Sequence, residues 1–289
     1  MEKAEAICHG AATIVNAIAM GKGAAFGVDL WTKAEVKLTD EPKVIEGKII
    51  SDPNENPILI EKTVGKVFEY FALKEKFGAK VRTWSNVPIA RGLKSSSSAA
   101  SAIALATVAA LKKSLDDLTI VNLGVDAALD AKVTITGAFD DACASYFGGV
   151  VITDNVKRRI VKRFRISEDL AILFYIPIEK AYTISSDVQR MKAVASLVEI
   201  AYEEALKGKL WSALTLNGLI YSSTLGYNSS IALDALMAGA LAAGLSGKGP
   251  SVTAVVQTEK VDSVKNAWQA YEGKILQARV NHEKARVVG

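Results

Sequence analysis

The sequence has few of the residues that build disulfide scaffolds or zinc sites. Its 289 residues include two cysteines, Cys8 and Cys143, and two histidines, His9 and His282. Two cysteines cannot form a disulfide framework, and these four side chains are too scattered to predict a Cys/His zinc site. Low cysteine usage fits a reducing compartment, so we expect a cytoplasmic protein. We expect Cys143 to pack as a small apolar side chain and His9 to be buried or to cap a backbone group.

Long uninterrupted apolar runs are also missing. A membrane-spanning helix needs about 18 apolar residues, and the nearest stretches, Ala99–Leu111 and Ile231–Leu245, are short and carry polar residues. Glu2 and Glu5 precede the first apolar stretch, which argues against a cleaved signal peptide. We therefore expect no membrane partner. The net charge is only +4, which does not predict a dedicated nucleic-acid binder but permits acidic small molecules.

The spacing of apolar residues predicts a mixed α+β chain with two domains. Helices are expected over 58–77, 99–111, 118–131, 188–207, 209–221 and 231–243, with strands between them. Gly148 and Gly149 precede a predicted strand, so we place the end of the first domain near residue 155. This gives domains 1–155 and 156–289. The second domain opens with the basic segment Lys157–Arg165, which we interpret as an edge strand with a solvated face.

A serine-rich loop, Arg91–Ala100 (RGLKSSSSAA), runs directly into a predicted helix of small residues. A helix N-terminus gathers free backbone N–H groups and about half a positive charge, which makes it an anion site. Gly92 permits close approach of the backbone, Lys94 supplies a cation, and the serines supply hydroxyls for phosphate or Mg²⁺. The loop therefore suits a nucleoside triphosphate. A serine-rich linker that ends in a serine N-cap is the structural alternative.

Two other phosphate-binding motifs are excluded by their spacing. A Walker A loop has glycine directly before its lysine, whereas Leu93 precedes Lys94. The segment Gly21–Gly27 spaces its glycines one residue too far apart for a dinucleotide fingerprint, and strand-like sequence follows it. We interpret this segment as a turn between two strands.

Three motifs, in order along the chain, resemble those of the GHMP kinase superfamily, named for its galactokinase, homoserine, mevalonate and phosphomevalonate kinases. Pro88–Ala99 (PIARGLKSSSSA) resembles the ATP loop, Thr136–Asp140 (TGAFD) resembles the acidic motif, and Ser246–Val252 (SGKGPSV) resembles the C-terminal glycine-rich motif. The resemblance covers most of the chain. It implies an N-terminal domain like ribosomal protein S5 domain 2, a ferredoxin-like C-terminal domain, and a site between them.

Two details resemble one branch of this superfamily, the archaeal-type shikimate kinases. Gly92–Ser98 (GLKSSSS) has lysine where most members have glycine, and Gly137–Asp141 (GAFDD) has two adjacent acids. This resemblance implies ATP- and Mg²⁺-dependent phosphorylation of the 3-hydroxyl of shikimate, an anionic polyol, in chorismate and aromatic amino-acid synthesis. Two alternatives stay open: a GHMP kinase of the homoserine or mevalonate type, and a non-catalytic protein that binds RNA through Lys157–Arg165. The oligomeric state also stays open.

The resemblance places the ATP phosphates against the loop before the small-residue helix. The predicted cofactor-binding residues are Pro88, Ile89, Ala90, Arg91, Gly92, Leu93, Lys94, Ser95, Ser96, Ser97 and Ser98. Lys94 and backbone amides would form an electrostatic cradle, and the hydroxyl of Ser97 or Ser98 would contact Mg²⁺. Asp130 lies about ten residues before the acidic motif, where the family places a metal-binding glutamate. An exposed surface aspartate is the alternative for this position.

Asp140 matches the family acid beside the acceptor hydroxyl, which a carboxylate can orient or deprotonate. Asp141 is its rival for this catalytic role, and either could instead cap a helix. Family members often carry a lysine that contacts this acid, but His9–Ile14 (HGAATI) has none. Lys248 is therefore a candidate either for that duty or for the substrate carboxylate, with plain exposure as the alternative. Arg190 is a second candidate for the carboxylate, with a solvated helix face as its alternative. The predicted substrate-binding residues are Asp140, Gly137, Ser246, Gly247, Lys248 and Arg190.

Overall fold

The computed structural model describes residues 2–89, 91–178 and 187–288, so Ala90 of the predicted ATP loop lies outside the described residues. The strands are β1 (Lys3–Val15), β2 (Lys22–Thr39), β3 (Ile45–Ile49), β4 (Gly78–Ser85), β5 (Val150–Asp154), β6 (Arg159–Phe164), β7 (Leu170–Pro177), β8 (Ala242–Leu245), β9 (Val252–Gln257), β10 (Gly273–Arg279) and β11 (Arg286–Val287). The helices are α1 (Ile58–Tyr70), α2 (Ser95–Ala110), α3 (Asp117–Asp130), α4 (Phe139–Phe147), α5 (Val188–Ala193), α6 (Ala195–Leu206), α7 (Leu210–Leu225), α8 (Ser230–Met237) and α9 (Val261–Trp268).

The first sheet is built around a long hairpin of β1 and β2. Among the described residues it has seven strands, in the order β11-β1-β2-β4-β3, while β5 pairs with another part of β2 and then with β6. The pairs are antiparallel except for β3 with β4. Most of β1 is buried on both faces, so its sequence lacks the polar alternation that identifies a half-exposed strand. Sequence analysis therefore did not predict it.

The second sheet has four antiparallel strands in the described chain, in the order β10-β7-β9-β8. Helices α1 to α4 cover one face of the first sheet, and a core cluster that includes Phe26, Ile172, Val198 and Leu214 joins its other face to α6, α7 and the second sheet. Helices α8 and α9 cover the outer face of the second sheet. The prediction of an α+β fold is confirmed.

The domain boundary near residue 155 stays a prediction, and strand pairing crosses it. It falls inside the hairpin of β5 and β6, and β6 belongs to the first sheet. The last strand returns to that sheet as well, because Ala6 of β1 pairs with Val287 of β11. The N-terminal unit therefore includes residues 159–164 and 286–287. A continuous division of the sequence could not show this, because β11 joins the sheet through long-range pairing.

Three predicted helices differ from their apolar patterns, and the first of them, expected over 58–77, ends at Tyr70. The helix expected over 231–243 ends at Met237, Gly239 adopts a φ of +101°, and Ala242–Leu245 form a strand instead. The helix expected over 188–207 is divided at Val194, which ends α5 and precedes α6. Small apolar residues suit both helices and buried strands, so spacing alone could not separate the two states.

Helix α2 lies at the centre of the first unit, and its small residues explain this position. Ala100, Ala104 and Ala106 are almost completely buried, and the helix packs on β1 and β2. Alanine and serine side chains allow a helix to approach a sheet closely, so the N-terminus of α2 is brought to the junction with the second unit. None of the helices in the described residues is long and apolar enough to cross a membrane.

Candidate active site

A cavity of about 590 Å³ lies where the loop before α2 faces the second unit. Its walls come from six segments of the chain: the end of β1 with the following turn, the turn before α1, the start of α2, the loop 131–136, the start of α4, and the pair Gly247 and Lys248. The two sequence motifs with most glycine and serine, together with the acidic motif, therefore border one cavity.

Gly92 and Ser246 hold the two glycine-rich motifs together. The hydroxyl of Ser246 donates a hydrogen bond of 2.8 Å to the carbonyl oxygen of Gly92. Gly92 has a φ of +82°, and a Cβ at this position would lie 2.6 Å from the backbone oxygen of Ser246. Only glycine satisfies both the left-handed backbone and this close approach. Ser246 is completely buried and its hydroxyl is bonded to Gly92, so the substrate-binding role suggested for Ser246 stays a prediction.

The first turn of α2 forms one wall of the cavity. Ser95, Ser96 and Ser97 line it, and this turn contains no acidic side chain. The free N–H groups and the partial positive charge of a 16-residue helix therefore meet the cavity without a competing carboxylate. Ser98 does not line the cavity, because its buried hydroxyl bonds Thr32 Oγ1 at 2.9 Å and the Ser95 carbonyl at 3.0 Å.

Lys94 connects this helix to the acidic motif. Its backbone is left-handed, with φ of 65° at the position before α2, which costs a residue with a side chain roughly 1 kcal/mol or more. Its Nζ atom lies 3.0 Å from Asp141 Oδ2, and the two side chains are only 12% and 10% exposed. Lys94 therefore supplies a cation to the acidic motif through Asp141, a contact that the phosphate role predicted for this lysine did not include.

The two adjacent acids point to different partners. Asp140 is 3% exposed, and its Oδ1 accepts a hydrogen bond of 2.8 Å from Asn155 Nδ2. Burial and the neighbouring Asp141 charge raise the pKa of Asp140, which the amide of Asn155 and the charge of Lys94 partly oppose. Burial also raises the pKa of Asp141, which its contact with Lys94 opposes. Of the two carboxyls, Asp140 lacks a direct cation and is the one that holds a proton more readily.

Two buried polar atoms at the cavity have no hydrogen-bond partner in the described structure: Thr13 Oγ1 and Asp141 Oδ1. Thr13 is 2% exposed. A Cβ built on Gly247 would lie 3.6 Å from Thr13 Oγ1 and 2.5 Å from Lys94 Nζ, so these groups converge on one part of the cavity. Leaving buried polar groups unsatisfied costs about 1–3 kcal/mol each, so the arrangement favours a polar ligand.

Lys248 lines the same cavity from the second unit. Its burial and the nearby charge of Lys94 lower the pKa of Lys248 to about 8. A lysine whose ammonium loses hydration and faces another cation gains from the arrival of an anion. Lys248 and Gly247 are thus brought to the cavity, as sequence analysis placed them.

Several predicted residues are not brought to the cavity. Asp130 ends α3 with a side chain 48% exposed, bonded to Lys66 Nζ at 2.8 Å, which favours the surface-aspartate alternative, and its magnesium role stays a prediction. Arg190 is exposed on α5 and does not line the cavity, which favours a solvated helix face, and its substrate role stays a prediction. Arg91 donates to the carbonyl of Pro177 at 2.6 Å. The remaining residues outside the walls are Pro88, Leu93, Ser98, Gly137 and Ser246.

Leu93 and Gly137 have structural reasons for their positions. Leu93 is completely buried in the core that joins the two units. Gly137 has a φ of +83°, and a Cβ there would lie 2.6 Å from Val125 Cγ1. Neither residue is among those that line the cavity, and the cofactor role of Leu93 and the substrate role of Gly137 stay predictions.

Sequence analysis missed Thr13, Asn16, Lys132 and Asn155. The first three line the cavity, and Asn155 bonds Asp140. Thr13 lies near the end of β1 and Asn16 directly follows it. The surrounding run of small residues gives no functional signal. Asn155 follows β5 at the place where we had divided the domains. The signal that the sequence offered was an asparagine shortly after a strongly apolar predicted strand.

Comparisons with known proteins agree with this architecture. Residues 59–149 match the family model described as the GHMP kinases N terminal domain. The chain superposes on the mevalonate kinase of Methanococcus jannaschii with a TM-score of 0.75 and 17% identity, covering 96% of this chain and 98% of that one. It superposes on the homoserine kinase of Cytophaga hutchinsonii with a TM-score of 0.74 and 15% identity, covering 100% and 98%. These likenesses show the fold.

The sequence itself is similar to curated proteins over nearly its whole length. It is 44% identical over 282 residues to the shikimate kinase of Methanosarcina mazei, covering 97% of this chain and 95% of that protein. It is 42% identical over 267 residues to the shikimate kinase of Pyrococcus furiosus, covering 92% and 95%.

The two units meet at a helix N-terminus, and a buried acid faces a glycine- and serine-rich loop. With the family match, this arrangement identifies a GHMP kinase, an ATP-dependent kinase of small molecules. The sequence similarities point to one family within this class. The chain belongs to the archaeal shikimate kinase family. The resemblance noted from the three motifs is therefore confirmed at both levels.

Proposed function

We propose that this chain transfers the γ-phosphoryl group of ATP to the 3-hydroxyl of shikimate, giving shikimate 3-phosphate and ADP. The structural observation that supports this proposal is that the buried acids Asp140 and Asp141 line the same cavity as the N-terminus of α2. Relatives named shikimate kinase, similar over nearly the whole chain, support the acceptor. In the reaction the acceptor oxygen forms a P–O bond, the bridging P–O bond of ATP breaks, and the hydroxyl proton leaves.

The triphosphate binds at the start of α2. Ser95, Ser96 and Ser97 offer backbone N–H groups and hydroxyls there, and the helix dipole favours negative charge. Lys94, directly before this turn, pairs with Asp141 through Nζ and lines the cavity, where its charge can stabilise charge that develops on the transferred phosphoryl group. Ile89 supplies apolar surface at the same wall.

Magnesium fits the site as a partner of the nucleotide. The described residues contain no cluster of three or more His, Cys, Asp or Glu side chains that would form a protein cage for a metal. Mg²⁺ commonly keeps waters and binds substrate phosphates with few protein ligands. The Ser97 hydroxyl, at the cavity wall in the first turn of α2, is the oxygen we assign to it. The ion would neutralise phosphate charge.

Asp140 is the residue we assign to the acceptor hydroxyl. General-base catalysis is most effective when the pKa of the base lies near the working pH, and burial with a neighbouring charge raises the pKa of Asp140 from its ordinary acidic value. Asp141 is held by Lys94 and contributes charge to the site. This division assigns the hydroxyl proton to Asp140 and the electrostatic role to the Lys94–Asp141 pair.

Lys248 is the group that we assign to the shikimate carboxylate. It lines the cavity opposite the first unit, and it is one of the two lysines whose charges meet there. A buried ammonium pairs strongly with a carboxylate because little water remains to screen the two charges. Lys132, on the loop that precedes α4, lies at the exposed rim of the same cavity and favours entry of an anion.

A coupled ADP-release assay with ATP and Mg²⁺ tests the proposal, with shikimate, homoserine and mevalonate offered in parallel. We expect turnover with shikimate and at most trace turnover with the other two. Turnover with homoserine or mevalonate alone would keep the kinase class and overturn the acceptor. A salt-dependent shift with RNA, with no ATP turnover on any acceptor, would favour the binding protein that Lys157–Arg165 suggests.

A further inference from the structure

Asn155, which does not line the cavity, holds the carboxylate of Asp140. Its Nδ2 atom donates a hydrogen bond of 2.8 Å to Asp140 Oδ1, and the asparagine is only 6% exposed. Its backbone N–H bonds the carbonyl of Gly21 at 2.8 Å. The residue therefore joins the end of β5 to the turn before β2 and cannot swing away from Asp140 without breaking these contacts.

Thr153 sets the orientation of the Asn155 amide. Its hydroxyl, completely buried, donates a hydrogen bond of 2.6 Å to Asn155 Oδ1. An amide has one acceptor end and one donor end, and a hydroxyl donor at Oδ1 leaves the NH₂ end facing Asp140. Tyr202 of α6 in turn donates to the Thr153 carbonyl at 3.3 Å, so the arrangement is anchored in the second unit's helices.

We propose that Asn155, oriented by Thr153, is a positioning residue for Asp140 in the phosphoryl transfer, and that it favours the ionised, proton-accepting form of that carboxylate. This inference rests on the proposed function, in which Asp140 receives the hydroxyl proton. Asn155 does not line the cavity, so it acts through Asp140 and has no contact of its own with the substrate.

The charged surroundings of Asp140 show why a neutral donor is useful there. Asp141 and burial oppose ionisation of Asp140, whereas Lys94, which is bonded to Asp141, favours it from a distance. Cys143 and Tyr221 also lie near Asp140, and burial keeps both in their neutral forms. The side-chain hydrogen bond from Asn155, together with a backbone hydrogen bond from Asp141, stabilises the carboxylate charge without adding a second charge to the site.

The test compares the pH profile of kcat in the wild type with those of Asn155→Leu, Asn155→Ser and Thr153→Val. Loss of the donor makes the ionised form of Asp140 less stable, so we expect the acid limb to move to higher pH by about one unit in Asn155→Leu. We expect kcat at neutral pH to fall about 10-fold or more, because the carboxylate is less well held. KM for ATP should not change.

The other two variants and one control separate positioning from stability. Asn155→Ser keeps a short donor and should recover part of kcat, and Thr153→Val should give a smaller shift in the same direction. Asn281→Leu, at another buried asparagine that bonds Glu283, should lower the melting temperature without moving the pH limb. If Asn155→Leu does not fold, Asn155→Ser and Thr153→Val decide the question.

The outcomes distinguish this inference from the proposed function. Wild-type protein that turns over shikimate, with pH limbs unmoved in the Asn155 and Thr153 variants, would overturn the positioning role and leave the function standing. Wild-type protein with no shikimate turnover would overturn both. A shifted limb with unchanged KM for ATP supports the positioning role.

Discussion

Lys94 and Asp141 form a nearly buried ion pair, with 3.0 Å between Nζ and Oδ2, that joins the loop before α2 to the first turn of α4. The neighbouring Asp140 faces Asn155 instead. Two acids that are adjacent in the sequence therefore have different electrostatic surroundings, one with a direct cation and one with a neutral donor. Because like charges in a shared site cannot both ionise easily, the pair separates into a more permanent charge and a group that takes up a proton.

The first prediction concerns the division of work between the two acids. Asp140→Asn removes the proton acceptor but keeps the shape and the Asn155 contact region, so we expect kcat to fall about 10²- to 10⁴-fold. ATP binding, measured by calorimetry, should stay close to that of the wild type, because the triphosphate meets α2. A wild-type kcat in Asp140→Asn, together with an inactive Asp141→Asn, would assign the base to Asp141.

The second prediction concerns Lys94, whose left-handed backbone is one that glycine adopts easily. Lys94→Gly relaxes this backbone but removes the cation, and Lys94→Met removes the cation alone. Breaking a buried ion pair costs about 3–5 kcal/mol. We therefore expect a large loss of unfolding free energy in Lys94→Met, a smaller loss in Lys94→Gly, and low turnover in both.

The exposed pair of Lys66 and Asp130 provides a matched control for Lys94. Their atoms lie 2.8 Å apart, but the side chains are 27% and 48% exposed, so Lys66→Met should cost about 0–1 kcal/mol. Urea unfolding measures both costs. Equal losses at Lys66 and Lys94 would contradict the burial argument.

Asp130→Asn should leave the magnesium dependence of turnover unchanged, and a raised requirement for magnesium would support the metal role predicted for Asp130 from the sequence.

The third prediction follows from the lowered pKa of Lys248, about 8. Below that pH the ammonium is charged and can pair with a carboxylate; above it the charge is lost. KM for shikimate should therefore rise as the pH passes 8, with a smaller change in kcat. Lys248→Met should raise KM at neutral pH and abolish this rise, whereas Lys274→Met, at an exposed position on β10, should behave as the wild type. A pH-dependent KM that survives in Lys248→Met would reject the assignment.

The sequence motifs predicted residues that line the cavity better than they predicted the strands and helices that position these residues. Gly92, Lys94 and Asp140 carry backbone and charge requirements that are local in the sequence, and the structure brings their motifs to one cavity. The α+β class followed from spacing in the same way. Motif resemblance also gave the kinase family, which periodicity alone could not supply.

Long-range pairing explains what the sequence did not predict. Strand β11 pairs with β1, which lies at the other end of the sequence. A strand of two residues has no local pattern from which this pairing could be predicted. The contact between Lys94 and Asp141 joins residues 47 positions apart, so the local motif predicted only a phosphate role for Lys94. Asp130 had the expected spacing, but its position at the end of α3 turns it toward Lys66 and solvent.

The last prediction tests whether the position of Asp140 is fixed by the sheet beneath it. A Cβ on Gly23, in β2, would lie 2.4 Å from Asp140 Oδ2 and 2.9 Å from Ala17 Cβ. Gly23→Ala should therefore displace the carboxylate, and a displacement near 1 Å can lower turnover about 100-fold. Gly65→Ala is the control, because no atom lies within 4 Å of its added Cβ. In helix α1 it should stabilise the protein by about 1 kcal/mol.

The two glycine variants are compared by kcat and by melting temperature. Because Gly23 lies in a strand without a left-handed backbone, alanine is compatible with its φ and the sheet should persist. We expect Gly23→Ala to lose turnover while its melting temperature falls only modestly, and Gly65→Ala to keep turnover. A Gly23→Ala protein with the wild-type kcat would show that Asp140 reaches its working position without this close packing, and the fixed geometry inferred for the acid would then be wrong.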